Sequence, residues 1–127
     1  KTLDDLFKTN GWLLLEDERL SWPITKPVRK AMLKGEVPGW TILEQVVGLL
    51  ERVEPFEGAV LERELTEWAE GTCEGNLGKI AQPLRIAVTG GPVSPPIFDT
   101  LAMLGKQRCL LRIARCLGAM REAAESS

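Results

Sequence analysis

The chain has 127 residues, enough for one domain or for two small helical units sharing a core. Apolar residues make up 44% and charged residues 27%, so it reads as an ordinary soluble globular chain, and no apolar run approaches the ~20 residues of a membrane span. There is no histidine, which excludes Ser–His and Cys–His catalytic pairs and Cys/His zinc sites, and the three cysteines Cys73, Cys109 and Cys116 form no CxxC pair.

In chain order, nearly every segment has helical periodicity. Residues 2–9 place Leu3, Leu6 and Phe7 at helical spacing behind Thr2, with Gly11 just beyond. Residues 12–24, with the short apolar run Trp12–Leu15, read as irregular or short 3₁₀ structure. A helix over 26–34 follows Thr25, with Pro27 in its first turn and Gly35 past its end. Pro38-Gly39 breaks the chain, and a helix over 40–53 carries Ile42, Leu43, Val46, Val47, Leu49 and Leu50 on one broad face until Pro55. The next helix, 57–74, sets Val60, Leu61, Leu65 and Trp68 inward and Glu62, Arg63, Glu67 and Glu70 outward.

Beyond Gly75, short apolar helices are expected over 77–88 and 95–104, and a longer one over 106–123. Pro83 should weaken or bend the first of these. No strand alternation or internal repeat is visible. The expected fold is all-α, a compact helical bundle of about six to seven helices, divided into an acidic subdomain 1–75 and a second subdomain 76–127. Charge follows that division. Residues 1–75 carry 9 Lys+Arg against 15 Asp+Glu, a net −6, and residues 76–127 carry 7 against 3, a net +4. A basic end is one footprint of polyanion binding.

Residues 78–98, GKIAQPLRIAVTGGPVSPPIF, are the most informative stretch. Arg85 lies on an otherwise apolar helix, so its charge must reach solvent, a carboxylate or a ligand. Thr89, Gly90, Gly91 and Pro92 make a turn whose glycines are explained by turn chemistry alone, while also leaving the backbone open to a ligand. Ser94 is an N-cap candidate with Pro95 behind it, and helix starts present N–H groups suited to phosphate oxygens or base edges.

Gln82-Pro83-Leu84-Arg85, Ala87, Thr89-Gly90, Ser94-Pro95-Pro96, Phe98 and Leu104-Gly105-Lys106, followed by Arg108 and Arg112, resemble the C-terminal anticodon-binding region of bacterial glutamyl-tRNA synthetases, with the pattern QPLRxAxTGxxxSPPxF then LLGK. The resemblance runs closely over 78–117. Over 1–77 the Lys1-Thr2-Leu3 opening and the helix order agree. It implies tRNA anticodon recognition, with the arginine matched by Arg85 contacting anticodon bases. It carries base contact onto Ser94, Pro95 and Ile97, and extends to Thr89, Gly90, Pro92 and Phe98. It implies a cytoplasmic enzyme using ATP and magnesium in a catalytic domain, whose HIGH-like and KMSKS-like motifs are not in this chain. The fragment itself, beginning at Lys rather than Met, is expected to be a non-catalytic piece of a longer protein. It should need no cofactor or metal of its own, and should be monomeric, with tRNA rather than DNA or a membrane as partner.

On the last helix, Arg108, Arg112 and Arg115 share a face at i, i+4 and i+7, with Lys106 two residues ahead of Arg108, opposite an apolar face of Leu110, Ile113, Ala114 and Leu117. The stripe reads either as plain solvated surface or as a grip on the RNA backbone. Arg29, Lys30 and Lys34 form a smaller basic patch that reads as surface. The four tryptophans read as core or helix-junction residues, and Cys109 and Cys116, two turns apart, as small buried hydrophobes. A helical protein–protein interaction module is the alternative function.

Overall fold

The computed structural model describes residues 20, 22–34, 38–72, 75–91 and 96–126. Among these there are six helices and no strand: α1 (Lys26–Met32), α2 (Gly39–Arg52), α3 (Gly58–Thr72), α4 (Gly78–Thr89), α5 (Ile97–Leu104) and α6 (Lys106–Ser126). The all-α expectation holds. The helix expected over 2–9 lies outside the described residues.

α2 and α3 bury most of the face their spacing predicts. α1 buries Val28 and Met32, one turn apart, and accepts Pro27 in its first turn, where a missing N–H costs no helical bond. α2 buries Ile42, Leu43, Val46 and Leu50. On α3 the repeat Leu61, Leu65, Ala69 is fully buried, and Glu62, Arg63, Glu67 and Glu70 are exposed. α4 runs without interruption through Pro83, whose ring is buried in the packing of α4 rather than exposed at a break.

α2, α4 and α6 pack pairwise at the centre. α1 lies on α4 and α2, and α3 and α5 pair with each other, α5 also touching α4 and α6. Helices from both sides of residue 75 therefore share one continuous core, from Val28 and Leu43 to Leu84, Ile113 and Met120. Trp22, Trp40 and Trp68 are half-buried against it, while Trp12 lies outside the described residues.

α5 and α6 meet at Gly105, whose φ of 89° and ψ of 156° fall in a region essentially restricted to glycine. Its N–H donates to the Leu101 carbonyl at 3.0 Å and its own carbonyl accepts from the Cys109 N–H at 3.0 Å, so one residue closes α5 and starts α6. The backbone is the constraint here, since a Cβ at this position would meet nothing within 4 Å.

Candidate functional site

The C-terminal end of α4 is tied down by several side chains and by its own cap. A helix leaves its last carbonyls without intrahelical partners, and these carry partial negative charge. Here three consecutive carbonyls are satisfied from three different places. The Ile86 carbonyl accepts from the N–H of left-handed Gly90 at 2.8 Å. The Ala87 carbonyl accepts from the Trp22 indole Nε1 at 2.9 Å. The Val88 carbonyl accepts from Arg112 Nη1 at 2.6 Å.

Thr89 extends this rim. Its hydroxyl lies 2.7 Å from the Arg85 carbonyl and 3.1 Å from the Gly91 carbonyl, and it accepts from the Gly91 N–H at 3.4 Å. With one proton, the hydroxyl donates to one carbonyl at a time, and the nearer is that of Arg85. Arg85 itself is half-buried, and its Nη1 donates to Gln82 Oε1 at 2.7 Å, one turn back on the same helix. Gln82 thus orients the guanidinium plane, a role not singled out in the sequence, although spacing i, i+3 predicts the contact.

α5 begins later than the sequence indicates. Its N-cap is Pro96, with no side-chain cap, and its first helical residue is Ile97; Ser94 and Pro95, like Pro92, lie outside the described residues. The Ile97 side chain is only 5% exposed and belongs to the core, because the inward face of α5 starts at its first residue. Any contact it makes with a base is left to its backbone. Phe98 is half-buried against the same core.

The basic stripe of α6 needs a correction. Arg112 does not stand on a solvated face with Arg108 and Arg115; its side chain is fully buried. The inward face is wider than the one formed by Ile113 and Leu117 alone, taking in Cys109, Cys116 and Met120, while Leu110 is only half-buried and Ala114 is exposed. Cys109 and Cys116 lie at i−3 and i+4 from Arg112 and flank it on that face. An arginine so flanked was the signal that could have revealed its burial. A guanidinium keeps its charge when buried, so it needs concentrated negative potential, and the C-terminus of α4 supplies it.

Lys106 is also engaged inside the fold. Its Nζ donates to the Glu51 carbonyl in the last turn of α2 at 3.1 Å and lies 5.9 Å from the Phe56 ring centroid. Arg115 is exposed, with its guanidinium 6.0 Å over the Trp22 ring, and Arg108 is half-buried. Further along α6, Arg121 pairs with Glu44 and lies 6.0 Å over the Trp40 ring.

Cys109 and Cys116 are buried and form no disulfide among the described residues, in line with their spacing. Cys109 Sγ lies 3.4 Å from the Leu101 carbonyl. Burial pushes the Cys116 thiol up from 9.0 to about 12, since the desolvated thiolate is disfavoured. Among the described residues no three His, Cys, Asp or Glu side chains are grouped to hold a metal ion, and no helix is long and apolar enough to cross a membrane.

Residues 1–117 match the model of a family described as an anticodon binding domain. Glutamate–tRNA ligase 2 of Novosphingobium aromaticivorans is 50% identical over 72 residues, covering 57% of this chain and 15% of that protein. A glutamate–tRNA ligase of Rhodopseudomonas palustris is 37% identical over 114 residues, covering 90% of this chain and 23% of that protein. Glutamate–tRNA ligase 1 of Acidithiobacillus ferrooxidans is 41% identical over 83 residues, 65% of this chain and 17% of its own length. The chain thus spans less than a quarter of these relatives.

Proposed function

We propose, from the premise that the chain belongs to the anticodon binding domain family, that it holds the anticodon loop of a glutamate tRNA for a glutamate–tRNA ligase. In this reading, the acceptor end of the same tRNA reaches a catalytic domain outside these 127 residues. That domain, in the cytoplasm, uses ATP and magnesium to activate glutamate. This domain contributes recognition, as a monomer, and needs no cofactor.

The observation that carries the reading is the end of α4. Anticodon bases are unstacked, and proteins read them by their edges and by stacking. Reading an edge takes donors fixed in advance, because ordering them at binding costs affinity. Arg85 is oriented by Gln82, the Ala87 and Val88 carbonyls just before the turn are held by Trp22 and Arg112, and the turn itself is tied by the Gly90 N–H on the Ile86 carbonyl and by the Thr89 hydroxyl beside Gly91. Arg85 takes a base edge, while Thr89 and Gly90 offer backbone beside it. Pro92, Ser94, Pro95 and Phe98, with the backbone of Ile97, complete the base-contacting surface. Phosphate contacts from α6 fall to Arg108 and Arg115, since Arg112 is buried and Lys106 closes the end of α2.

The test is a titration with a glutamate tRNA transcript and a copy with a changed anticodon, followed by chemical shifts. Tighter binding of the unchanged anticodon, with shifts at Arg85 and 89–98, is expected. Equal binding of the two RNAs would overturn anticodon reading.

A further inference from the structure

A groove of about 720 Å³ opens where α1, α2 and the first turns of α4 meet. Pro27, Ala31, Ile42 and Pro83 form its apolar surface. Lys30, Lys34 and Lys79 line it as exposed cations, with Asn76 and Gln82 as the uncharged polar groups, and no carboxylate lines it among the described residues.

Helix electrostatics account for only part of this cluster. Lys30 sits in the last turn of α1, where a cation complements the helix dipole, and Lys34 follows just beyond. Lys79 is in the opposite situation. It is the second residue of α4, at the positive end of that helix, and the first turn holds no acidic residue to offset it. A cation there is unfavourable within the fold itself. An anion lying in the groove reverses the sign, since Lys79, Lys30, Lys34 and the α4 N-terminus would then all act on one negative group.

The walls of the groove are fixed by close packing. A Cβ on Gly39, the first residue of α2, would lie 2.1 Å from the Ala31 carbonyl oxygen and 2.9 Å from Pro83 Cγ. Only glycine lets α1 and α4 close over the start of α2 this tightly.

The groove adjoins the candidate reading residue. Gln82, on its lining, is the acceptor for Arg85 Nη1. Lys79 and Arg85 are six residues apart on one helix, about 9 Å along its axis. Around that axis the two lie roughly 120° apart with Gln82 between them, so a strand with a base edge at Arg85 passes Gln82 to bring a neighbouring phosphate to Lys79 and the groove.

We propose that this groove is a second RNA-binding surface, taking the sugar–phosphate backbone beside the bases read at Arg85; the proposal rests on the anticodon-binding reading. Lysine is a point-charge phosphate ligand without base preference. The groove supplies affinity and register, and Arg85 supplies discrimination.

The test uses an RNA hairpin carrying the glutamate anticodon and a copy with a changed anticodon. Binding is measured by fluorescence anisotropy between about 50 and 200 mM salt. A triple variant, Lys30→Gln, Lys34→Gln and Lys79→Gln, is compared with the triple arginine variant and with Arg85→Ala, all checked for matched melting curves. The glutamine variant should bind both hairpins about tenfold or more weakly at the lower salt, with the slope of log K against log salt reduced by about 2. Its preference between hairpins should be unchanged, and the arginine variant should match the parent. An unchanged affinity and slope in the glutamine variant, with anticodon preference lost only in Arg85→Ala, overturns the groove and leaves anticodon reading intact. A glutamine variant that loses its anticodon preference overturns the sequence-blind role. No preference in the parent chain overturns the anticodon reading and the groove together.

Discussion

Arg112 Nη1 donates to the Val88 carbonyl across 2.6 Å, joining the middle of α6 to the last turn of α4 inside the core. The bond places a permanent cation against the negative end of a helix, and it fixes the backbone from which the 89–91 turn departs. Arg112→Ala removes the cation, orphans a buried carbonyl and leaves a cavity. Stability should fall by about 3 kcal/mol, read from urea unfolding by tryptophan fluorescence. An unchanged midpoint would show that the bond contributes nothing.

Trp22 holds the neighbouring Ala87 carbonyl through its indole N–H. Trp22→Phe keeps most of the ring and removes the donor, so it should destabilise by about 1 kcal/mol. The loss should appear in the unfolding midpoint, with hydrogen exchange at Gly90 accelerated because the end of α4 frays more often.

Arg85 is half-buried and bonded to Gln82, and its side chain is not part of the core. Arg85→Ala should therefore cost about 1–3 kcal/mol of tRNA affinity, the value of one good base contact, with little change in melting temperature. Gln82→Ala should produce a smaller loss in the same assay by releasing the guanidinium orientation. Unaltered affinity in both variants counts against α4 as the reading surface.

The Cys116 thiol is raised from 9.0 to about 12 by burial. Above its unfolded value the unfolded chain releases this proton while the folded chain retains it, so folding stability must fall as pH rises from about 9 towards about 12. Below about pH 9 the contribution is complete and flat. Cys116→Ala should show a shallower loss over the same alkaline window. In a Cys73→Ser background, labelling of the two buried thiols by a thiol reagent should proceed no faster than the chain opens.

Gly105 occupies backbone angles that side chains strongly disfavour, in open space. Gly105→Ala should cost about 1–3 kcal/mol through backbone strain alone. A thermal melt within error of the parent chain would show that the α5–α6 junction relaxes.

The helices were legible from the sequence because their signals are local. The repeat Leu61, Leu65, Ala69, the breaks at Pro38-Gly39 and Pro55, and Pro27 in a first turn each act within a turn or two of the chain. The turn after Thr89 was equally plain, since Gly90, read as a turn glycine, does adopt a left-handed conformation. The buried pair Cys109 and Cys116 followed from a spacing of seven.

The fates of the cations on α6 were decided only in three dimensions. Helical spacing places Arg108, Arg112 and Arg115 near one another, but it does not fix where the covered face ends, because that edge is set by whichever helix packs there. Arg112 is buried because the Val88 carbonyl arrives from 24 positions away, and Lys106 is engaged because that of Glu51 arrives from 55 away. The same holds for Trp22 and Ala87, 65 positions apart, and for the groove that brings Lys30 and Lys34, at the end of α1 and just past it, beside Lys79 of α4. Periodicity along the chain determines which residues can face inward. The partner that neutralises a charge, or the absence of a counter-charge around it, is a property of packing between distant segments, and only the tertiary structure decides it.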